Sequence, residues 1–330
     1  MTKIITEKKY RFEIPEGQGR ERIDVYLANN LEYATRNRMQ QLIKAEFCTV
    51  NGKIVKTNYK ITPGDDVLLR IPCSPRPEKL QAEDIPLDVV YEDDDLLIVN
   101  KPANMCVHPS IGNHTGTLVN ALMHYTSKLS HVKDEGRPGI VHRIDKDTSG
   151  LLVIARDEWI HSEIAKQFAA HTSEREYWAV VCGRFKDSKG EVIGNIGRSK
   201  KDRKVFTVHE TEGKHAHTFY EVIEEFEFAT LIKLRLKTGR THQIRVHMNH
   251  INKPIFGDPW YGGRAIAYTP VNVSKMKARV ENLLEIMQRQ ALHAKTLGFV
   301  HPRTGENVSF DSQLPDDFNL LLEKLRNDNF

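Results

Sequence analysis

Cysteine is scarce in this chain. Its 330 residues include four: Cys48, Cys73, Cys106 and Cys182. None lies in a C-x-x-C pair, so neither a structural zinc site nor a disulfide framework is indicated. Dispersed thiols suit a reducing compartment. No apolar run approaches the roughly 20 residues a membrane helix needs. The opening Met1-Thr2-Lys3-Ile4-Ile5 has no apolar signal core, so a cytoplasmic protein without membrane contact is expected. G-x-G-x-x-G and G-x-x-x-x-G-K-[ST] are both missing, which leaves dinucleotide and P-loop chemistry without support. There is no internal repeat, and charge of one sign does not dominate: Lys and Arg number 48 against 44 Asp and Glu.

That balance hides an asymmetry. Residues 1–72 carry 13 basic and 9 acidic side chains, and residues 35–60 carry six basic to one acidic. A local excess of this kind points to a polyanionic partner. In the same stretch Ile23, Leu27 and Leu31 recur at helical spacing, predicting a helix over Arg22 to Leu31. Thr35 fits the N-cap of a second helix with Met39, Leu42 and Ile43 buried and Arg36, Arg38 and Lys44 projecting. Thr49-Val50, Asn51-Gly52 and Lys53-Ile54-Val55 read as strand, turn and strand. A helix N-terminus with arginines is suited to phosphate oxygens. In the order Arg-Ile-Asp-x-x-Leu, Thr-Arg-x-Arg-x-x-x-Leu-Ile, Val-Asn-Gly-Lys, Pro-Gly-Asp, residues 20–71 resemble the small RNA-binding module first recognised in ribosomal protein S-four.

Residues 1–72 are therefore expected to form an N-terminal segment holding this module, its core at about 20–71, and residues 73–86, with Pro75, Pro77 and Pro86, a semi-extended linker. Residues 87–330 are expected to form a second domain. Strands are predicted near Val89–Tyr91, Leu96–Asn100, Gly150–Ala155, Tyr177–Val181, Val205–Val208, His217–Ile223, Ala229–Leu236 and Gln243–Val246. Helices are predicted over Leu118–Tyr125, Glu158–Ala170, Val271–Gln290 and Phe318–Arg326. Strands outnumber helices and follow short turns, so the expected class is α+β with a mixed, mainly antiparallel sheet.

Two polar clusters stand out. His142-Arg143-Ile144-Asp145-Lys146-Asp147-Thr148-Ser149-Gly150 runs straight into the apolar Leu151–Ala155, a charged loop set against a buried strand. Taken bare, such a loop implies no chemistry. In Gln243-Ile244-Arg245-Val246-His247-Met248, alternation places Gln243, Arg245 and His247 on one strand face, as if lining a cleft. His242, His247 and His250 leave open a metal-dependent hydrolase.

His142 to Gly150 resembles the H-R-L-D-x-x-T-S-G signature of the RluA-type pseudouridine synthases, with Ile144 in place of Leu. Further matching pieces follow in order: Asn100-Lys101-Pro102, Val107-His108-Pro109, Arg175-Glu176-Tyr177, Arg240 to Met248, Pro254 to Pro259 with Tyr261-Gly262, Leu292-His293-Ala294 and His301-Pro302. Asn104 stands where Gly is common. The resemblance implies an isomerase that converts uridine to pseudouridine in folded RNA, most often large-subunit ribosomal RNA, with transfer RNA as the alternative substrate. It implies no cofactor and no metal, and a monomer is expected. It assigns catalysis to Asp145, Tyr177 and Arg245: a carboxylate that attacks or stabilises the sugar or base, an aromatic that stacks on uracil and whose phenol can transfer a proton, and a guanidinium that pairs the carboxylate. Arg143 would fill the space of the flipped base, with His142 supporting its loop. Arg36, Arg38 and Lys44 would add phosphate contacts. The basic run Arg198, Lys200, Lys201, Arg203 and Lys204 suits either solvent or RNA. A non-catalytic RNA-binding protein on the same fold remains the rival reading.

Overall fold

Asn51 and Gly52 have φ values of 52° and 75°, the two left-handed positions that a tight type I′ hairpin turn requires. They join β2 (Cys48–Val50) to β3 (Lys53–Ile54) with Val50 opposite Lys53. The computed structural model that shows this describes residues 6–31, 36–73, 80–110, 113–130, 137–199, 202, 205–265 and 274–327. The chain divides into two compact units, Met1–Glu78 and Lys79–Phe330.

In the first unit, α1 (Ile23–Asn30) and α2 (Arg36–Lys44) pack on an antiparallel sheet ordered β1-β4-β2-β3, with β1 (Thr6–Glu13) and β4 (Asp66–Cys73). Ile23, Leu27, Met39, Ile43, Cys48, Val67 and Leu69 form its core. β1 lies outside the module expected from residues 20–71, because its charged run Thr6-Glu7-Lys8-Lys9 gave no apolar alternation. Thr35, expected to cap α2, falls outside the described residues.

The second unit is built on a ten-stranded sheet ordered β10-β9-β11-β12-β8-β13-β7-β6-β5, with β14 added to β13. Its strands are β5 (Val89–Glu92), β6 (Leu96–Lys101), β7 (Ser149–Ala155), β8 (Glu174–Cys182), β9 (Lys189–Arg198), β10 (Phe206–His209), β11 (Lys214–Glu225), β12 (Ala229–Leu236), β13 (Leu292–Val300) and β14 (Asn307–Asp311). Its helices are α3 (Leu118–Tyr125), α4 (Glu158–Ala170), α5 (Gln243–His250), α6 (Ser274–Ile286) and α7 (Asp316–Arg326). Every strand pair is antiparallel except β13 with β7. This is the mixed, mainly antiparallel α+β class.

β7 is buried along its whole length. Leu152 and Ile154 face the main core, while Leu151 and Val153 pack with Ile160 and Ile164 of α4. A strand covered on both faces reads as a continuous apolar run, which is why Leu151–Ala155 has no alternation. Gly150, at φ 116°, admits no side chain, since a Cβ would lie 2.2 Å from the Ala294 carbonyl oxygen. That close approach fixes where the preceding loop meets the sheet.

Three expectations are corrected. Gln243–Val246 is not a strand but the start of α5; Gln243 through Met248 are all buried, so neither period is displayed and alternation misled. Gln243, Arg245 and His247 therefore do not share a strand face. Residues 73–86 are not wholly linker: Leu80 and Ile85 pack on the second core, and Asn120 of α3 donates to the Gln81 carbonyl at 2.7 Å. Residues 74–79 fall outside the described residues. β9, β13 and β14 went unrecognised. In β9 the glycines at 190, 194 and 197 sit under Tyr220, Val208 and His209, so neighbouring strands supply the bulk that the β9 sequence lacks.

Candidate active site

The loop that ends on β7 is held from beneath. Thr148 N–H donates to the Asp145 carbonyl at 3.1 Å, closing a turn. The next two carbonyls are gripped by buried cations: Lys101 Nζ donates to Lys146 O at 3.0 Å, and Arg289 Nη1 to Asp147 O at 3.1 Å. Gln290 Nε2 donates to Thr148 Oγ1 at 3.2 Å. Arg289 is itself fixed by both oxygens of Asp317 at 2.7 and 2.8 Å, in the first turn of α7. Burial pushes the Lys101 ammonium down to about 7, against the opposing pull of Asp147.

Above this brace Asp145 is partly exposed. Its Oδ2 accepts a hydrogen bond from Arg245 Nη1 at 3.1 Å. Arg245, on α5, is buried, and its other donors are taken by Asp258: Nε to Oδ2 at 2.7 Å and Nη2 to Oδ1 at 3.0 Å. Asp258 is fully buried and also accepts the amides of Trp260 and Tyr261. The Tyr261 ring lies 4.8 Å from the guanidinium carbon. Burial alone would lower the Arg245 pKa, but the hydrogen bonds and charge of Asp258, with Asp145, raise it. The guanidinium is a permanent cation divided between two carboxylates.

The second oxygen of Asp145 faces His242. Nε2 lies 3.9 Å from Oδ1, beyond hydrogen-bond reach. His242 precedes α5 in the left-handed region, at φ 54°, and its Nδ1 is 2.8 Å from the Tyr261 hydroxyl. That hydroxyl also accepts the Phe206 amide at 3.0 Å.

Asp145, Arg245 and His242 line a cavity of about 580 Å³, with Tyr177, Arg143 and Arg175 on its other walls. The volume lies within the few hundred to a thousand Å³ typical of small-molecule sites. Tyr177, on β8, is 7% exposed. Burial raises its phenol pKa, opposed by Arg175 and assisted by Asp145. Arg143 is exposed and touches His108 Nε2 at 3.3 Å. His142 is stacked on Phe168 with centroids 4.4 Å apart, and its Nε2 accepts the Val153 amide at 3.1 Å. Burial, then Arg175, push its imidazole down to about 3; it is a neutral strut for the loop.

The structure thus brings Asp145, Tyr177, Arg245, Arg143 and His142 to one cavity. Arg36 and Lys44 are in the first unit. Arg36 Nε donates to the buried Asp24 at 3.0 Å, Lys44 is exposed in the last turn of α2, and the Arg38 side chain falls outside the described residues. Sequence reasoning missed Asp258, Tyr261, Lys101 and Arg289 as site residues. Asp258 stood within the matching piece Pro254 to Pro259, as a lone carboxylate closing the run Ile255-Phe256-Gly257, without being singled out. His242, His247 and His250 do not converge as a ligand set: His242 is turned to Tyr261, while buried His247 bonds Thr218 Oγ1 at 2.9 Å. Among the described residues one trio of ligand-type atoms is close, Asp93, Asp95 and His301. There Arg303 already pairs Asp95, and His301 pairs Asp93.

Comparison with known proteins identifies the family. A family model described as RNA pseudouridylate synthase matches residues 95–250, and an S4 domain model matches residues 21–67. An uncharacterised RNA pseudouridine synthase of Chlorobaculum parvum is 47% identical, covering 92% of this chain and 94% of its own. Another from Bacillus subtilis is 46% identical over 94% of this chain and 96% of the relative. The ribosomal large subunit pseudouridine synthase D of Zymomonas mobilis is 44% identical over 92% and 93%. Among solved structures, human RNA pseudouridylate synthase domain containing 4 has the same fold, with a TM-score of 0.55 and 24% identity over 72% of this chain and 92% of that one. The chain belongs to the RNA pseudouridylate synthase family, with an S4 domain preceding its catalytic domain.

Proposed function

We propose that this chain acts on uridines of large-subunit ribosomal RNA, with Asp145 as the reacting carboxylate, Arg245 as its partner and Tyr177 as the aromatic wall against the uracil. The relatives whose names specify a substrate support the choice of RNA. The observation that carries the assignment of roles is the asymmetry of Asp145. One oxygen is committed to Arg245 at 3.1 Å, and the other faces the cavity without a hydrogen bond. A carboxylate oriented in this way can attack the sugar or stabilise the charge that forms when the base departs.

The target base must leave its stack, at a cost of roughly a few kcal/mol. Arg143, exposed at the cavity mouth, has a planar cation able to stack and hydrogen-bond in the vacated space. Tyr177, with its pKa raised, offers a neutral ring face and a hydroxyl donor. Arg36, Arg38 and Lys44 add phosphate contacts from the S4 domain, so affinity falls steeply with salt. No helix among the described residues is long and apolar enough to cross a membrane, and Cys48, Cys106 and Cys182 are free thiols; both suit a cytoplasmic enzyme.

Asp145→Asn tests the reading. Pseudouridine formation should fall at least about a thousandfold, with RNA affinity held within a few-fold; retained turnover refutes the role of Asp145. Pseudouridine maps of RNA from cells with and without the gene should differ in large-subunit ribosomal RNA. Sites lost only from transfer RNA would overturn the substrate assignment.

A further inference from the structure

The arginines around the catalytic cavity are unequally engaged. Arg245 is divided between two carboxylates, and Arg143 touches His108. Arg175, on β8, has no such partner among the described residues, and its Nε is buried without an acceptor. It is positioned by its face instead. The guanidinium carbon lies 5.2 Å from the centroid of the Phe168 ring, which also stacks on His142. A cation held through its face keeps its in-plane N–H donors free. A Cβ on Gly239 would lie 3.3 Å from Arg175 Nη1, so the fork reaches the turn that follows β12. Lys237 and Arg240 stand exposed in that turn. Arg240 Nε donates to the His215 carbonyl at 2.9 Å, and Lys237 Nζ has no partner among the described residues.

These three cations converge on His171, which ends α4 in the left-handed region at φ 59°. Burial, then Arg175, Arg240 and Lys237, all lower its imidazole pKa. His171 and Leu236 line both the catalytic cavity and a second hollow of about 690 Å³ along β9, β11 and β12. The carboxylates of that hollow are already occupied. Glu221 pairs Lys189 at 3.1 Å and Lys233 at 3.2 Å, and Glu191 pairs His217 Nε2 at 2.8 Å. Phe219 lines the hollow with its ring 40% exposed, and His217 lies against it with centroids 4.3 Å apart.

We infer that this junction is a subsite for the nucleotide next to the target uridine, its phosphate on Arg175, Lys237 and Arg240 and its base stacked on Phe219. Three cations without a carboxylate call for an anion, and a guanidinium fork beside an ammonium suits phosphodiester oxygens. The hollow is continuous with the cavity, so a strand that delivers a base to one passes the other. Extrusion of the target unstacks its neighbours on one side, and an exposed aromatic ring offers such a base a new face. The subsite holds the strand rather than the reacting base, and so acts on affinity and choice of site. It rests on the reading of the Asp145 cavity as the place of the uridine.

The test uses the full chain and stem-loop transcripts bearing the uridine that pseudouridine mapping identifies. Affinity and single-turnover rate are measured separately. F219A should raise Kd about 5–150-fold, with the rate at saturating RNA within about threefold, and F219W should bind within a few-fold of the unaltered protein. An abasic site at one of the two nucleotides flanking the target should weaken the unaltered protein by a similar factor and cost F219A nothing more. R175Q and K237Q should each lower the slope of log affinity against log salt by about one phosphate contact. An F219A penalty that is the same with either neighbour intact or abasic, or salt slopes unchanged in both R175Q and K237Q, overturns the subsite. D145N is run in parallel. An active D145N sinks the reading of the cavity, whereas an inert D145N beside unaltered RNA affinity in F219A and R175Q sinks the subsite alone.

Discussion

Each unit holds one fully buried aspartate tied to arginine, and the two are wired in opposite senses. In the S4 domain the carboxylate is the hub. Asp24 accepts Arg22 through both oxygens at 2.9 and 3.0 Å, Arg36 at 3.0 Å and Gln40 at 2.5 Å. Burial would raise its pKa, but these hydrogen bonds and the charge of Arg36 hold it well below the usual carboxylate range. In the catalytic domain the guanidinium is the hub, with Arg245 buried between Asp258 and Asp145. A saturated carboxylate anchors two half-exposed arginines and has nothing left to react. A shared guanidinium fixes one oxygen of Asp145 and leaves the other open. The same two residue types make a strut in one place and an open carboxylate edge in the other, decided by which is outnumbered.

Removing each hub partner separates the two designs. Asp258→Ala leaves Arg245 buried with half its partners gone, and breaking a buried pair of this kind costs about 3–5 kcal/mol. Urea midpoints followed by tryptophan fluorescence read this, because Trp159, Trp178 and Trp260 all lie in the second unit; turnover should collapse as well. A loss under about 1 kcal/mol would show that Asp258 is not the anchor described.

Acid should also act on the catalytic domain, through its buried histidines. His142 is pushed down to about 3, and His247 and His293 to about 4, all mainly by burial. In the unfolded chain each takes a proton near pH 6.5. The unfolded state therefore binds more protons below that value, and stability present above about pH 6.5 is lost as pH falls towards the folded values. The slope near pH 5 should reach as much as about 4 kcal/mol per pH unit, and His142→Gln should remove about a third of it. A flat urea midpoint between pH 7 and 5 would contradict the burial of these rings.

Smaller effects belong to the S4 domain. Asp24→Ala frees Arg22 and Arg36 to reach water, so its cost should stay near 1–3 kcal/mol, read by amide exchange across α1 and β4. If it matched the cost at Asp258, the contrast between the hubs would fail. Arg36→Ala should change folding least, lowering the slope of log affinity against log salt by about one phosphate contact. An unchanged slope would leave Arg36 as a brace for Asp24 alone.

Local signals reached as far as local structure extends. Ala229–Leu236 alternates apolar and polar only at its end, but its leucine-rich run ends cleanly at Lys237-Thr238-Gly239. Glu158–Ala170 begins at Asp157, whose side chain caps the Ile160 amide at 2.9 Å. Thr117 and Asn120 form a reciprocal cap on α3. α5 had no face to show, being buried all round. The ion-pair geometry was legible only in part. Asp145 and Arg245 were paired through a family resemblance, whereas Asp258, Lys101 and Arg289 act through contacts between distant segments that no spacing encodes. Arg289 reaches back 142 residues to the carbonyl of Asp147.

That reach has a consequence for the order of synthesis. The loop bearing Asp145 leaves the ribosome well before Arg289, and Arg289 before the Asp317 that orients it. A nascent chain ending anywhere in between carries Asp145 on a loop whose Asp147 carbonyl still lacks its oriented Arg289 donor. The brace beneath the Asp145 loop is therefore completed late in synthesis, once Asp317 of α7 can orient Arg289.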